Sequence, residues 1–205
     1  MAVGLARAAA VACVVAFGAA CLAGVPAAAQ TASVLTPVRF SPVLSVEQRA
    51  EAVKARIAAL VNAVRSGQVT ADQARGAIRN LIAANPAVAG EVVKVIIAVS
   101  KEGVPGLAPN LSLTQLLADG VALGVRELQV VAATNPAAQA ALQAVNQVFV
   151  DEGVSRGSAF GAQFAVTLNA AGGALLPPQL APETSPIAVI IPALPNDTTN
   201  EISPT

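Results

Sequence analysis

The sequence has no histidine, no tryptophan and no tyrosine, and aromatic residues make up 2% of it. Its two cysteines, Cys13 and Cys21, both lie near the N-terminus. Beyond Cys21 the chain therefore lacks the commonest general base, the thiol nucleophile and the usual zinc ligands. It also lacks any means of forming disulfide staples, so packing alone must hold it together. The shortage of rings removes the stacking platforms that single-stranded nucleic acid uses, and no nucleic-acid partner is expected. Charged residues are 12% of the chain, about half the share of an ordinary globular protein. What fills their place is small and apolar: hydrophobic residues reach 55% and the mean hydropathy is +0.65. No metal, no cofactor and no enzymatic activity are expected from this inventory.

The first thirty residues have the three parts of a secretory signal. Arg7 supplies a positive start, and an uncharged run with Val11, Val14, Val15 and Phe17 follows. Gly24 and Pro26 then precede Ala27-Ala28-Ala29, which places small residues where signal peptidase reads them. Residues 1–29 are thus expected to be removed between Ala29 and Gln30, leaving 176 of 205 residues for one exported domain. Two alternatives compete. The uncharged stretch 8–29 is long enough to anchor the chain if uncleaved, but it is mostly alanine and is broken by Gly24 and Pro26. A lipid anchor on Cys21 would need a large aliphatic residue three positions upstream, where Gly18 stands.

The rest reads as all-α, with about five helices in a bundle or a short two-unit helical repeat. Residues 30–44 form an extended lead-in with Pro37 and Pro42. Ser45 with Gln48 forms a capping box, in which each side chain satisfies the other residue's free backbone N–H. Val46, Ala50, Val53, Ile57, Leu60 and Val64 then recur at alternating spacings of four and three, and Gly67 ends the helix. Thr70 with Gln73 opens a second helix through Ala74, Ile78 and Leu81. Asn85 and Pro86 suit an N-cap and first position for a third helix over 86–101, whose valine-isoleucine richness leaves a buried strand as the alternative. Ser112 with Gln115 marks a fourth helix through Leu116, Leu117, Val121, Leu128 and Val131. Asn135 and Pro136 start a fifth, which runs through Leu142, Val145, Val148 and Phe149 to about Asp151.

The two halves align at an offset of 50 residues. Asn85-Pro86-Ala87 matches Asn135-Pro136-Ala137, and Glu102-Gly103-Val104 matches Glu152-Gly153-Val154. The domain reading is a helical domain over 45–154, with candidate repeat units 45–104 and 107–154. Residues 155–205, with their many glycines and prolines, are expected to form a flexible tail in which 187–191 is the one strand candidate.

The paired Asn-Pro-Ala triplets resemble the signature of aquaporins, but the resemblance is confined to six residues. A channel needs several apolar spans of about 20 residues, and Glu91, Lys94, Arg126 and Glu127 interrupt the candidates. Gly120 and Gly124 form the glycine-x-x-x-glycine pattern, which in a charged helix lets a neighbour approach closely. Asp151 and Glu152 are adjacent, and Glu47 and Glu51 share a helix face. Charge is unevenly placed: 30–101 carry nine basic and four acidic residues, a net of +5, whereas 102–205 carry a net of −6. That split suits an oppositely charged protein partner or weak self-association. The function expected is a structural, adhesive or protein-binding role in the periplasm, at the cell surface or outside the cell. The alternative is a membrane-active or lipid-binding helical protein, favoured by the hydropathy and the apolar third and fifth helices.

Overall fold

The computed structural model describes residues 34–41 and 43–174. The signal-cleavage residues Ala27, Ala29 and Gln30 lie outside the described residues, as do the proline-rich stretch and the strand candidate 187–191. Among the described residues the chain forms six α-helices and no strand: α1 (Val46–Arg65), α2 (Ala71–Ala83), α3 (Ala89–Glu102), α4 (Leu111–Ala132), α5 (Pro136–Asp151) and α6 (Ala159–Ala170). The all-α class is right, with one helix more than the five expected.

Local chemistry sets most of the boundaries. Ser45 and Gln48 make the reciprocal capping box at 3.2 and 3.0 Å, and Thr70 and Gln73 do the same at 3.2 and 2.9 Å. Helix α4 starts earlier than expected, because Asn110 rather than Ser112 caps it by accepting the Leu113 N–H at 2.9 Å. Asn85 departs further from expectation. It caps nothing, and Pro86–Val88 form a short 3-10 turn before α3 begins. The valine-isoleucine run is helical, not a strand, and its continuous hydrophobicity has a packing cause. Helix α3 touches α1, α2, α4 and α5, so Val92, Val93, Ile96, Ile97 and Val99 are all buried.

Each helix packs mainly on the helix two positions along the chain. Helices α1 and α3 are joined by Arg49–Glu91 and Lys54–Glu102. Ile78 and Ile82 of α2 fit over Gly120 and Gly124 of α4. Gly90 of α3 meets Ala144 of α5, and Asp119 of α4 accepts from Gln163 and Thr167 of α6. Where two contacts define a pair, both advance together along the chain, so alternate helices run parallel and form two layers, α1/α3/α5 and α2/α4/α6. The result is a stack of three helix pairs with one continuous core. Contacts recur at sequence separations of 42 for Arg49–Glu91, 44 for Asp119–Gln163 and 51 for Lys101–Glu152. Of these contacts, Lys101–Glu152 joins the candidate unit 45–104 to 107–154.

The expected flexible tail is corrected by α6. Phe160, Phe164, Ala165 and Leu168 are buried, and the Phe164 ring stands edge-on to Phe149 at 4.8 Å and 78°. Ser158 caps the helix through the Gly161 N–H at 3.1 Å. Gly161 is required there, because a Cβ would overlap the Ser155 carbonyl. Residues 155–174 thus belong to the folded body.

Candidate functional site

The two Asn-Pro-Ala triplets are put to different uses. Asn85 is buried at 6% exposure and serves as a latch for the lead-in. Its Oδ1 accepts the Phe40 N–H at 2.8 Å, and its Nδ2 donates to the Val38 and Leu81 carbonyls at 2.7 and 2.8 Å. Asn135 is exposed and caps α5 through the Ala137 N–H at 3.0 Å, with Pro136 in the first turn. The Glu-Gly-Val turns are closer relatives. Gly103 and Gly153 adopt φ +84 and +63, and Val104 and Val154 are both buried. At Gly103 a side chain would in addition run into the Leu107 carbonyl. Lys101 ties the turns together, its Nζ lying 2.8 Å from a Glu152 carboxylate oxygen.

Asp119, a residue without a motif in the sequence, is with Asn85 one of two buried polar residues, among those described, whose side chains make three hydrogen bonds. It is 6% exposed, and Arg75 donates Nε to its Oδ2 at 2.9 Å. Gln163 and Thr167 donate to its Oδ1 at 2.7 and 2.5 Å. One carboxylate therefore joins α2, α4 and α6, with three of its roughly four acceptor sites used. The available signal was an acid inside the apolar run from Leu116 to Val125, where the helix period places it next to buried positions.

Several of the other acids are also held. Glu91 receives a two-pronged contact from Arg49 Nε and Nη2 at 2.8 and 2.9 Å, and this hydrogen bonding raises the Arg49 pKa above its ordinary value. Glu47 accepts the Ser45 hydroxyl at 2.8 Å. Asp151 accepts from Gln147 at 2.8 Å, so the adjacent pair Asp151 and Glu152 turns to different partners. Among the described residues no group of three or more acids, histidines or cysteines is placed to hold a metal ion. No single described helix is long and apolar enough to cross a membrane, and the α2–α3 pair passes that test only jointly across an 89° bend.

Among the described residues, the grooves of the surface include three. The first, about 310 Å³, lies between the C-terminal end of α1 and the N-terminal end of α4, with Arg65 and Asn110 among its residues. The second, about 200 Å³, is its counterpart one level along the stack, between α3, the 152–154 turn and the start of α6. Each is bordered by a basic residue from the last turns of one helix and the N-cap of another: Arg65 with Asn110, then Lys101 with Ser158. The third, about 230 Å³, lies at the α2–α3 junction beside the lead-in residue Phe40. Comparison with protein-family models, with curated proteins and with solved structures gives no match for this chain.

Proposed function

We propose that the chain is an exported, non-catalytic protein of the bacterial envelope or cell surface that works by binding a protein partner. Residues 1–29 support export, and the helix stack offers a rigid scaffold for binding. The observation that carries the reading is the use made of the acids. Glu91, Glu102, Asp119 and Glu152 each meet a lysine or arginine of another helix at 2.8–3.5 Å. Carboxylates engaged as ties between helices support a scaffold better than they support paired acid–base chemistry, which needs two carboxyl groups facing a shared substrate.

The absence of cysteine beyond Cys21 makes a clean test possible. Single cysteines placed at exposed Gln147 of α5 or Val166 of α6 would be the only thiols of the mature chain. In the native cell, thiol cross-linking from one of these positions should give a discrete adduct of one defined mass. N-terminal sequencing of the exported protein should start at Gln30. Export and folding without an adduct at any exposed position would defeat the binding role. Retention of residues 1–29 on protein that floats with membranes would favour the anchored, membrane-active alternative.

A further inference from the structure

The first groove alone of the three combines a buried apolar floor with a cation that no carboxylate of its lining neutralises. Its floor is apolar: Val61, Leu113 and Leu116 are buried, and Val64 and Leu107 pack at the edge of the core. Arg65 stands at its rim, and its Nη1 donates to the Gly106 carbonyl at 3.1 Å. A guanidinium has five N–H donors, and no carboxylate is among the residues that line this groove. In the second groove Lys101 is already neutralised by Glu152 at 2.8 Å. The third groove carries Arg39 as well as Arg49, which is held by Glu91, but none of its apolar lining residues is buried.

We propose that the groove between α1 and α4 binds a single-chain aliphatic carboxylate, with its alkyl chain on Val61, Leu113 and Leu116 and its head group on Arg65. The planar guanidinium matches a carboxylate with two parallel hydrogen bonds, which gives the ligand its orientation. Size favours one chain of moderate length. An apolar cavity of about 150 Å³ accepts benzene, so the groove's roughly 310 Å³ suits a chain of about ten carbons. The alkyl part supplies affinity by leaving water, and the cation selects the sign of the head group. This site stands whether or not the protein partner exists.

The test uses the mature full-length protein and three ten-carbon probes below their micelle concentrations: decanoate, decanol and decyltrimethylammonium. Titration calorimetry should show decanoate binding about tenfold or more tightly than either of the others. NMR shifts should gather on Leu113 and Leu116. Arg65→Gln should erase the preference for decanoate while leaving decanol affinity and helix content unchanged. Val64→Asn, at the groove's edge, should weaken all three probes. The proposal is overturned by no decanoate binding at millimolar concentration, by equal binding of the three probes, or by shifts centred on α5. It also fails if anionic phospholipid vesicles recruit the protein through Arg65 while decanoate does not bind, since the anion would then be a membrane surface.

Discussion

Adding one methyl group at Gly120 tests the closest helix contact of the stack. A Cβ built there falls 2.6 Å from Ile78 Cβ, 2.7 Å from its Cγ2 and 3.0 Å from its Cδ1. The nearest of these atoms is fixed to the α2 backbone, so no rotamer change removes the overlap and the helices must separate. Overpacking of this kind costs about 1–3 kcal/mol. Replacing glycine by alanine inside a helix returns about 1 kcal/mol. Because the clash is with a Cβ, the strain belongs in the upper part of its range, and Gly120→Ala should lose about 1–2 kcal/mol net. Gly76, inside α2, has nothing within 4 Å of its would-be Cβ, so Gly76→Ala should gain about 0.5–1 kcal/mol. Urea unfolding followed by circular dichroism measures both. Ile78→Ala alone should cost about 2–5 kcal/mol. Combined with Gly120→Ala it should cost less than the sum, by about 0.5 kcal/mol or more, because two of the three clashing atoms are gone. If Gly120→Ala stabilised the protein as Gly76→Ala does, with no coupling to Ile78, the close α2–α4 approach would be refuted.

Other predictions follow from the same contacts. Phe164→Ala should cost about 3–5 kcal/mol and reduce the helix signal, as should truncation after Gly153; a truncated chain as stable as the whole would return 155–174 to a loose tail. Asp119→Ala should destabilise by about 2 kcal/mol or more, below the cost of a fully buried pair because Arg75 keeps 33% of its side-chain exposure; an unchanged urea midpoint would count against the network. Along the α1 seam, Ile57→Ala should cost about 2–5 kcal/mol, whereas Val46→Ala should stay within about 0.5 kcal/mol, since Ile57 is 0% and Val46 53% exposed. The Glu47 backbone N–H, and then the Ser45 hydroxyl, hold the Glu47 pKa below its ordinary value of 4.5. The small stabilisation this gives is therefore present above about pH 4.5 and lost as pH falls through the lowered value. Ser45→Ala should move the Glu47 titration, read by NMR, back upward.

Helix starts were legible where the cap and the hydrophobic period agreed, as at Ser45 and Thr70. They were misread where two caps competed, as with Asn110 and Ser112, because nothing local decides between neighbouring polar residues. Asn85 shows a different limit. Its sequence context suits an N-cap, but the backbone groups of Val38 and Phe40 arrive from the lead-in and take its side chain. Tertiary contacts settled that competition, and spacing could not anticipate them. Helix α6 was missed because it carries no charge, contains Gly161 and is bordered by Gly157 and Gly172. Its four-residue spacing of Phe160, Phe164 and Leu168 was a readable signal, outweighed by the glycines. The Arg75–Asp119 tie was beyond reach, since it depends on α2 lying parallel to α4.

The charge split along the sequence takes on a different meaning once the helices are stacked. Lys54, Arg75 and Lys101 come from the basic half, and their partners Glu102, Asp119 and Glu152 from the acidic half. These three pairs act inside the molecule and leave nets of +2 and −3 in place of +5 and −6. Less asymmetry is then available for a head-to-tail contact between copies than the sequence alone implies. The pairs also differ in strength. Lys54–Glu102 is exposed on both sides and contributes little, whereas Asp119 is desolvated and bonded to three other side chains. Added salt should therefore weaken the outer ties first and leave the α2–α4–α6 junction intact. In a stack whose alternate helices run parallel, attraction between the two halves of the chain favours the folded register itself, because these three pairs each join a residue of the basic half to one of the acidic half on a neighbouring level.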